Sequence, residues 1–143
     1  MIIKDQEIQF LLYSSQEDCN CRKILSLSKR LFSQQHIRSF NTLSQFSAVL
    51  KRMYFRASII LILVRDNEEL NNLFDIRDDL ADQSLILVLP NTHNGIMRQG
   101  LRLYPRYISY MKDEYQDVFY VLEKMIGKIQ QRIKGEKHVT GEG

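Results

Sequence analysis

The sequence predicts an α/β domain built on a single doubly wound, five-stranded parallel sheet with helices on both faces. Three observations predict it. Short aliphatic runs alternate with longer segments of helical period along the chain. The two central runs, residues 59–64 and 85–89, are apolar at every position, as expected of parallel strands covered above and below. A chain of 143 residues is long enough to bury a real core and too short for two ordinary domains.

Residues 8–13 (IQFLLY) read as the first strand. A helix over 16–34 follows, because Ile24, Leu27 and Leu31 recur at helical spacing. Residues 36–40 are a charged second strand suited to a sheet edge. Leu43, Phe46, Val49, Leu50 and Met53 then mark one stripe of a second helix, with Asn41 or Thr42 available as its cap. The third strand, 59–64, stops abruptly at Arg65, Asp66, Asn67 and two glutamates, and Leu70, Leu73 and Leu80 carry a short acidic third helix.

Residues 85–89 (LILVL) are a fourth strand of the same doubly buried type, halted by Pro90. A weakly patterned helix over 96–103 comes next, and Pro105 precedes a fifth strand at 107–111. In the last helix, Asp113 with Gln116 reads as a capping box, and Val118, Leu122, Met125, Ile126, Ile129 and Ile133 form a continuous stripe. Arg132 and Lys134 suit its carboxyl end and Gly135 closes it, while Gly127 inside weakens it by about 1 kcal/mol relative to alanine. Residues 1–135 are thus one expected domain, with 136–143 a flexible tail.

Five such units need helical crossovers, and right-handed crossovers dominate. The usual solution is the flavodoxin-like strand order 2-1-3-4-5, which places a site at the carboxyl ends of strands one and three. Those ends are Tyr13-Ser14-Ser15 and Arg65-Asp66-Asn67.

Composition narrows the function classes. The chain is 44% hydrophobic and 26% charged, which excludes a disordered or collagen-like polymer. No apolar run reaches bilayer length and the amino terminus carries acids where a signal peptide needs its apolar core, so a cytoplasmic protein without membrane contact is expected. A net charge of +3, from 20 basic and 17 acidic residues, is too small to argue direct nucleic-acid binding, although KIQQRIKGEKH near the end is locally basic. An appended DNA-binding domain would need more chain than the eight residues after Gly135. Cys19 and Cys21 form a close pair that cannot bridge without strain, and His36, His93 and His138 are scattered, so no metal centre is expected.

In length, in alternation and in an aromatic residue on the fifth strand, the chain up to Gly135 resembles the receiver domain of two-component response regulators (CheY-like). That resemblance implies an acidic pair after the first strand, a phosphoaccepting aspartate after the third, Ser or Thr after the fourth, and Lys followed by Pro after the fifth. Three carboxylates would hold Mg²⁺ against the phosphoryl charge while hydroxyl and ammonium read its oxygens. Here Ser14 and Ser15 stand where the acidic pair belongs, with Glu17 and Asp18 as the nearest substitutes for metal ligation. Asp66 is the sole acid that matches the phosphoacceptor. The hydroxyl position falls on Pro90, or on Thr92 in a longer loop. If Tyr107 matches the switch aromatic, the lysine position is Tyr110; if Lys112 matches the lysine, the aromatic position is Ser109 and Asp113 replaces the proline.

The resemblance therefore implies a degenerate, or pseudo-, receiver: a non-enzymatic signalling module that works by protein contact, with no cofactor and without conventional aspartyl phosphorylation. Its partner or dimer face is expected on the fourth helix, fifth strand and fifth helix, with Arg98, Arg102, Tyr104, Tyr107 and Tyr110 of the types that anchor interfaces. Two alternatives stand beside it. One is a working receiver phosphorylated on Asp66, with Lys112 or Thr92 as phosphate partner and Mg²⁺ near Glu17 or Asp18. The other is a flavodoxin-like small-ligand binder, although YSSQEDCN has no glycine for close backbone approach to a phosphate.

Overall fold

A computed structural model describes residues 8–52, 58–81 and 83–142, with the side chains described up to residue 133. Five strands, β1 (Gln9–Ser14), β2 (Ile37–Phe40), β3 (Ser58–Leu63), β4 (Ser84–Leu89) and β5 (Tyr107–Tyr110), form one all-parallel sheet in the order β2-β1-β3-β4-β5. The flavodoxin-like order is therefore the observed one. The helices are α1 (Cys19–Ser28), α2 (Leu43–Arg52), α3 (Asn67–Leu73), α4 (Arg77–Leu80), α5 (Asn94–Leu101) and α6 (Gln116–Glu142).

Strand alternation divides the apolar side chains between two cores. Phe10, Leu12, Ile59, Leu61, Leu63, Ile86 and Val88 point to the face covered by α1 and α6. Leu11, Tyr13, Ile60, Ile62, Val64, Leu87 and Leu89 point to the face covered by α2 to α5. Every residue of β1, β3 and β4 is buried, which is why those runs lack the polar alternation of a half-exposed strand. Each fully buried leucine or isoleucine contributes about 1.5–3 kcal/mol relative to exposure. Stacked rings, Phe10 on Phe32 at 5.1 Å and Tyr13 on Phe46 at 5.3 Å, fill the ends of the two cores beside β1.

Several elements differ from their expected bounds. The first helix stops at Ser28, whose hydroxyl donates to the Leu25 carbonyl at 2.8 Å, and the chain passes through turns and a 3₁₀ segment (Gln34–His36) while still burying Leu31 and Phe32. The third helix is split by a 3₁₀ turn (Phe74–Ile76). Leu70, Leu73 and Ile76 recur every three residues, the 3₁₀ period, and all three are buried. The fourth expected helix is therefore α5, which lies two residues earlier than the pattern indicated. Thr42 is the cap of α2, its hydroxyl accepting from the Gln45 amide at 3.3 Å, while Met53 lies outside the described residues.

The last helix begins at Gln116, so Asp113 lies three residues before it and no Asp113–Gln116 capping box forms at its start. Nor does Gly135 end it; α6 runs on to Glu142. A glycine costs about 1 kcal/mol inside a helix without stopping it, and no proline follows. Among the described residues no helix is long and apolar enough to cross a membrane.

Candidate functional site

The register sets Ser14, the last residue of β1, opposite Leu63, the last of β3. Val64 still donates to the Val88 carbonyl at 2.9 Å, and Arg65 is the first residue free of the sheet. Its guanidinium turns back across the end of β1. One terminal nitrogen donates to the Asp18 carboxylate, and the other donates to Ser14 Oγ at 2.8 Å and to the Gln16 carbonyl at 3.0 Å. Ser14 Oγ in turn donates to the Gln16 carbonyl at 2.7 Å. The buried Nε of Arg65 makes no protein hydrogen bond.

Asp18 is also the cap of α1, its other carboxylate oxygen accepting from the Cys21 amide at 3.0 Å. The Arg65 hydrogen bond is the main cause that holds its carboxyl down at about pH 2, with the α1 amides adding to it against a burial penalty. Glu17, expected beside it as a metal ligand, is exposed, and its carbonyl accepts from Arg22 at 3.0 Å.

Asp66 is the cap of α3, accepting from the Glu69 amide at 2.9 Å with its backbone extended. Glu69 reaches back, one oxygen accepting from the Arg65 amide at 2.9 Å and the other from the Ser15 hydroxyl. The strand-end aspartate is thus a helix-start residue in place, and both serines at the end of β1 are bound to neighbours from the β3 end.

Mg²⁺, which the receiver resemblance implies, does not fit this donor set. Three carboxylates lie in the cluster, but Asp18 is committed to a guanidinium, Asp66 to a backbone cap and Glu69 to a serine and an amide. Among the described residues no three acidic, histidine or cysteine side chains converge as a metal site.

A crevice of about 420 Å³ opens beside this cluster at the carboxyl ends of β3 and β4, lined by Arg65, Asp66, Asn67, Pro90, Asn91 and His93 among others. Pro90 follows the last residue of β4, Asn91 Oδ1 accepts from the His93 amide at 3.0 Å, and Thr92 is exposed and is not among the residues that line the crevice.

Lys112 belongs to a different cluster. Its ammonium lies 3.0 Å from Asp117 Oδ2 and 4.5 Å from the Tyr110 ring centroid. The same Asp117 oxygen accepts from Tyr107 at 2.8 Å and from Ser109 at 2.7 Å. Tyr107 and Ser109 sit two apart on β5 and so share the face toward α6, which is why one carboxylate collects both. Burial is the first cause that pushes the Tyr107 phenol up to about 12, and the Asp117 hydrogen bond adds to it. For Asp117 itself burial pushes up, but the three donors and the lysine charge together pull it below the ordinary carboxylate value.

The expected contact residues are spread over this side of the molecule. Arg98 is exposed on α5; Arg102 just beyond it places its guanidinium 5.5 Å from the Phe74 ring. Tyr104 is 88% exposed with a left-handed φ of 55°, Tyr110 is partly exposed, and Tyr107 is held inward by Asp117. Asp117 and Glu69 were not singled out from the sequence; both lie in first turns of helices, where acids are common for reasons of the helix dipole. Cys19 is exposed and Cys21 buried, both as free thiols.

Compared with known proteins, the chain matches no family model, no curated protein and no solved structure.

Proposed function

We propose that the chain is a degenerate receiver-like signalling module that acts by protein contact and not by aspartyl phosphorylation. The observation that carries the reading is the Arg65 guanidinium held at the ends of β1 and β3 by Asp18, Ser14 and Gln16. A phosphorylatable site needs a cation there that can be exchanged and coordinated; this chain supplies a covalently fixed one. Asp66, engaged as a cap in a cluster whose carboxylates are committed to protein donors, is a poor acceptor.

The partner face is α5, β5 and α6. Tyr104 supports it: a bulky residue held at positive φ with almost its whole side chain in solvent is a strained conformation of the kind that concentrates at functional surfaces. Incubation with acetyl phosphate and magnesium, followed by intact mass measurement, is the test of the non-phosphorylated reading. The expected mass is unchanged. A gain of one phosphoryl group that disappears in Asp66→Asn restores the working receiver.

A small-ligand binder is the second reading, favoured by the 420 Å³ crevice with its Asn91, His93 and Arg65 lining. A flavin absorbance band in the purified protein, lost on denaturation and dialysis, is the result that supports it.

A further inference from the structure

At the opposite end of the sheet from the Arg65 cluster, where β4 and β5 begin, a groove of about 230 Å³ runs between the start of β5 and residues 121–132 of α6. Arg106, Lys124, Lys128 and Arg132 line it, with half-buried Met125 and the edge of buried Ile129 as an apolar floor between them. Among the described residues none of these four cations has a carboxylate ion-pair partner, and no acidic side chain lines the groove. Lys124 lies 4.9 Å from the Tyr120 ring centroid, a partner that carries no formal negative charge.

Four like charges around one apolar trough repel one another, and an anionic occupant relieves that repulsion. Lys124, Lys128 and Arg132 are four residues apart on α6, about 6 Å per step along the helix axis. Same-side side chains of an extended peptide recur about every 6.7 Å, so carboxylates at alternate positions fall near successive cations. The intervening side chains face the other way, and one aliphatic residue in the groove-facing row lies on the floor that Met125 and Ile129 form between the cations. Single-stranded nucleic acid, by contrast, needs a series of aromatic platforms, and Tyr107 is the one ring in this lining.

We infer that the β5–α6 groove is a docking site for an acidic, extended segment of a partner protein that carries at least one aliphatic residue. This deepens the protein-contact reading and rests on it, because it names the chemistry of the partner while the Arg65 cluster concerns only the absence of phosphorylation.

The test is fluorescence anisotropy of a labelled peptide with glutamate at alternate positions, one of these replaced by leucine, and serine between them, titrated with the full chain. Saturable binding is expected at low salt, weakened by added salt as the charges are screened. Lys128→Glu with Arg132→Glu should weaken it about tenfold or more, whereas Lys51→Glu, an exposed lysine at the end of α2, should not. Circular dichroism of both variants establishes that they remain folded, which surface reversals of this kind permit. No saturable binding, an equal loss in Lys51→Glu, or tighter binding of an oligothymidylate than of the peptide overturns the inference. Magnesium uptake at the β3 end would overturn the wider reading instead, so the two failures are distinguishable.

Discussion

Asp18 and Arg65, separated by 47 positions in the chain, meet across the carboxyl ends of β1 and β3, and the same aspartate caps α1. One carboxylate therefore fixes a helix start and a cation in a single arrangement. Asp18→Ala removes the cap and leaves a part-buried guanidinium without its partner, at an expected cost of about 2 kcal/mol. Arg65→Met keeps most of the volume and removes the charge. Urea denaturation of both single variants and the double variant should give a coupling of about 1 kcal/mol. Strict additivity would mean the pair does not interact in solution.

The same pair sets an acid dependence. Because the Asp18 carboxyl is held down at about 2 from an ordinary 3.8, its contribution is fully present above the unfolded value and is lost as pH falls from 3.8 toward 2. The stability difference between the wild type and Asp18→Asn should therefore shrink across that window. A difference that stays constant from pH 5 to about 2 contradicts the assignment.

At the other end of the pH scale, Tyr107 is the residue to follow. Its phenol is raised to about 12 from 10.0, chiefly by burial and then by Asp117, so its contribution is present below pH 10 and lost as pH rises through 12. Burial also raises the Tyr13 and Tyr115 phenols, so ultraviolet titration of phenolate should lose one of several late-ionising tyrosines in Tyr107→Phe, and that one should shift part of the way down in Asp117→Asn. A Tyr107→Phe curve identical to wild type above pH 11 would show that Tyr107 is not a late group.

Tyr104 gives a prediction of opposite sign to most substitutions. An L-residue at φ 55° costs about 1–2 kcal/mol relative to right-handed backbone, and glycine carries no such penalty. Since the side chain is 88% exposed, little packing is lost on its removal. Tyr104→Gly should raise stability by about 1 kcal/mol and Tyr104→Val should lower it, both read from thermal unfolding. Under the protein-contact reading the stabilised variant is also weakened in partner binding.

How much of this was readable before the structure depends on the range of each interaction. β3 and β4 were legible because doubly covered parallel strands need apolar residues at every position, and Ile59 to Leu63 and Leu85 to Leu89 supply them. The start of α3 was legible too, since Asp66 caps a helix three residues ahead through local backbone. Arg65 was harder. Its guanidinium is bound by Asp18, Ser14 and Gln16, a choice fixed by the β1–β3 register and by nothing near it in the chain. Asp117 was illegible for the same reason: its donors Tyr107, Ser109 and Lys112 come together through the pairing of β5 with β4 and the docking of α6. Lys128 and Arg132 were visible as part of a locally basic stretch, while Lys124 and Arg106 join them in three dimensions.

Titration of the ¹⁵N-labelled protein with magnesium, then with beryllofluoride, bears most directly on the central claim that a fixed guanidinium has replaced an exchangeable metal. The amide resonances of Ser14, Ser15, Asp66 and Asn67 should not move with either addition beyond the general effect of ionic strength. Saturable shifts confined to those residues, lost in Asp66→Asn, would show that a divalent ion and a phosphoryl analogue are held at the end of β3 despite Arg65.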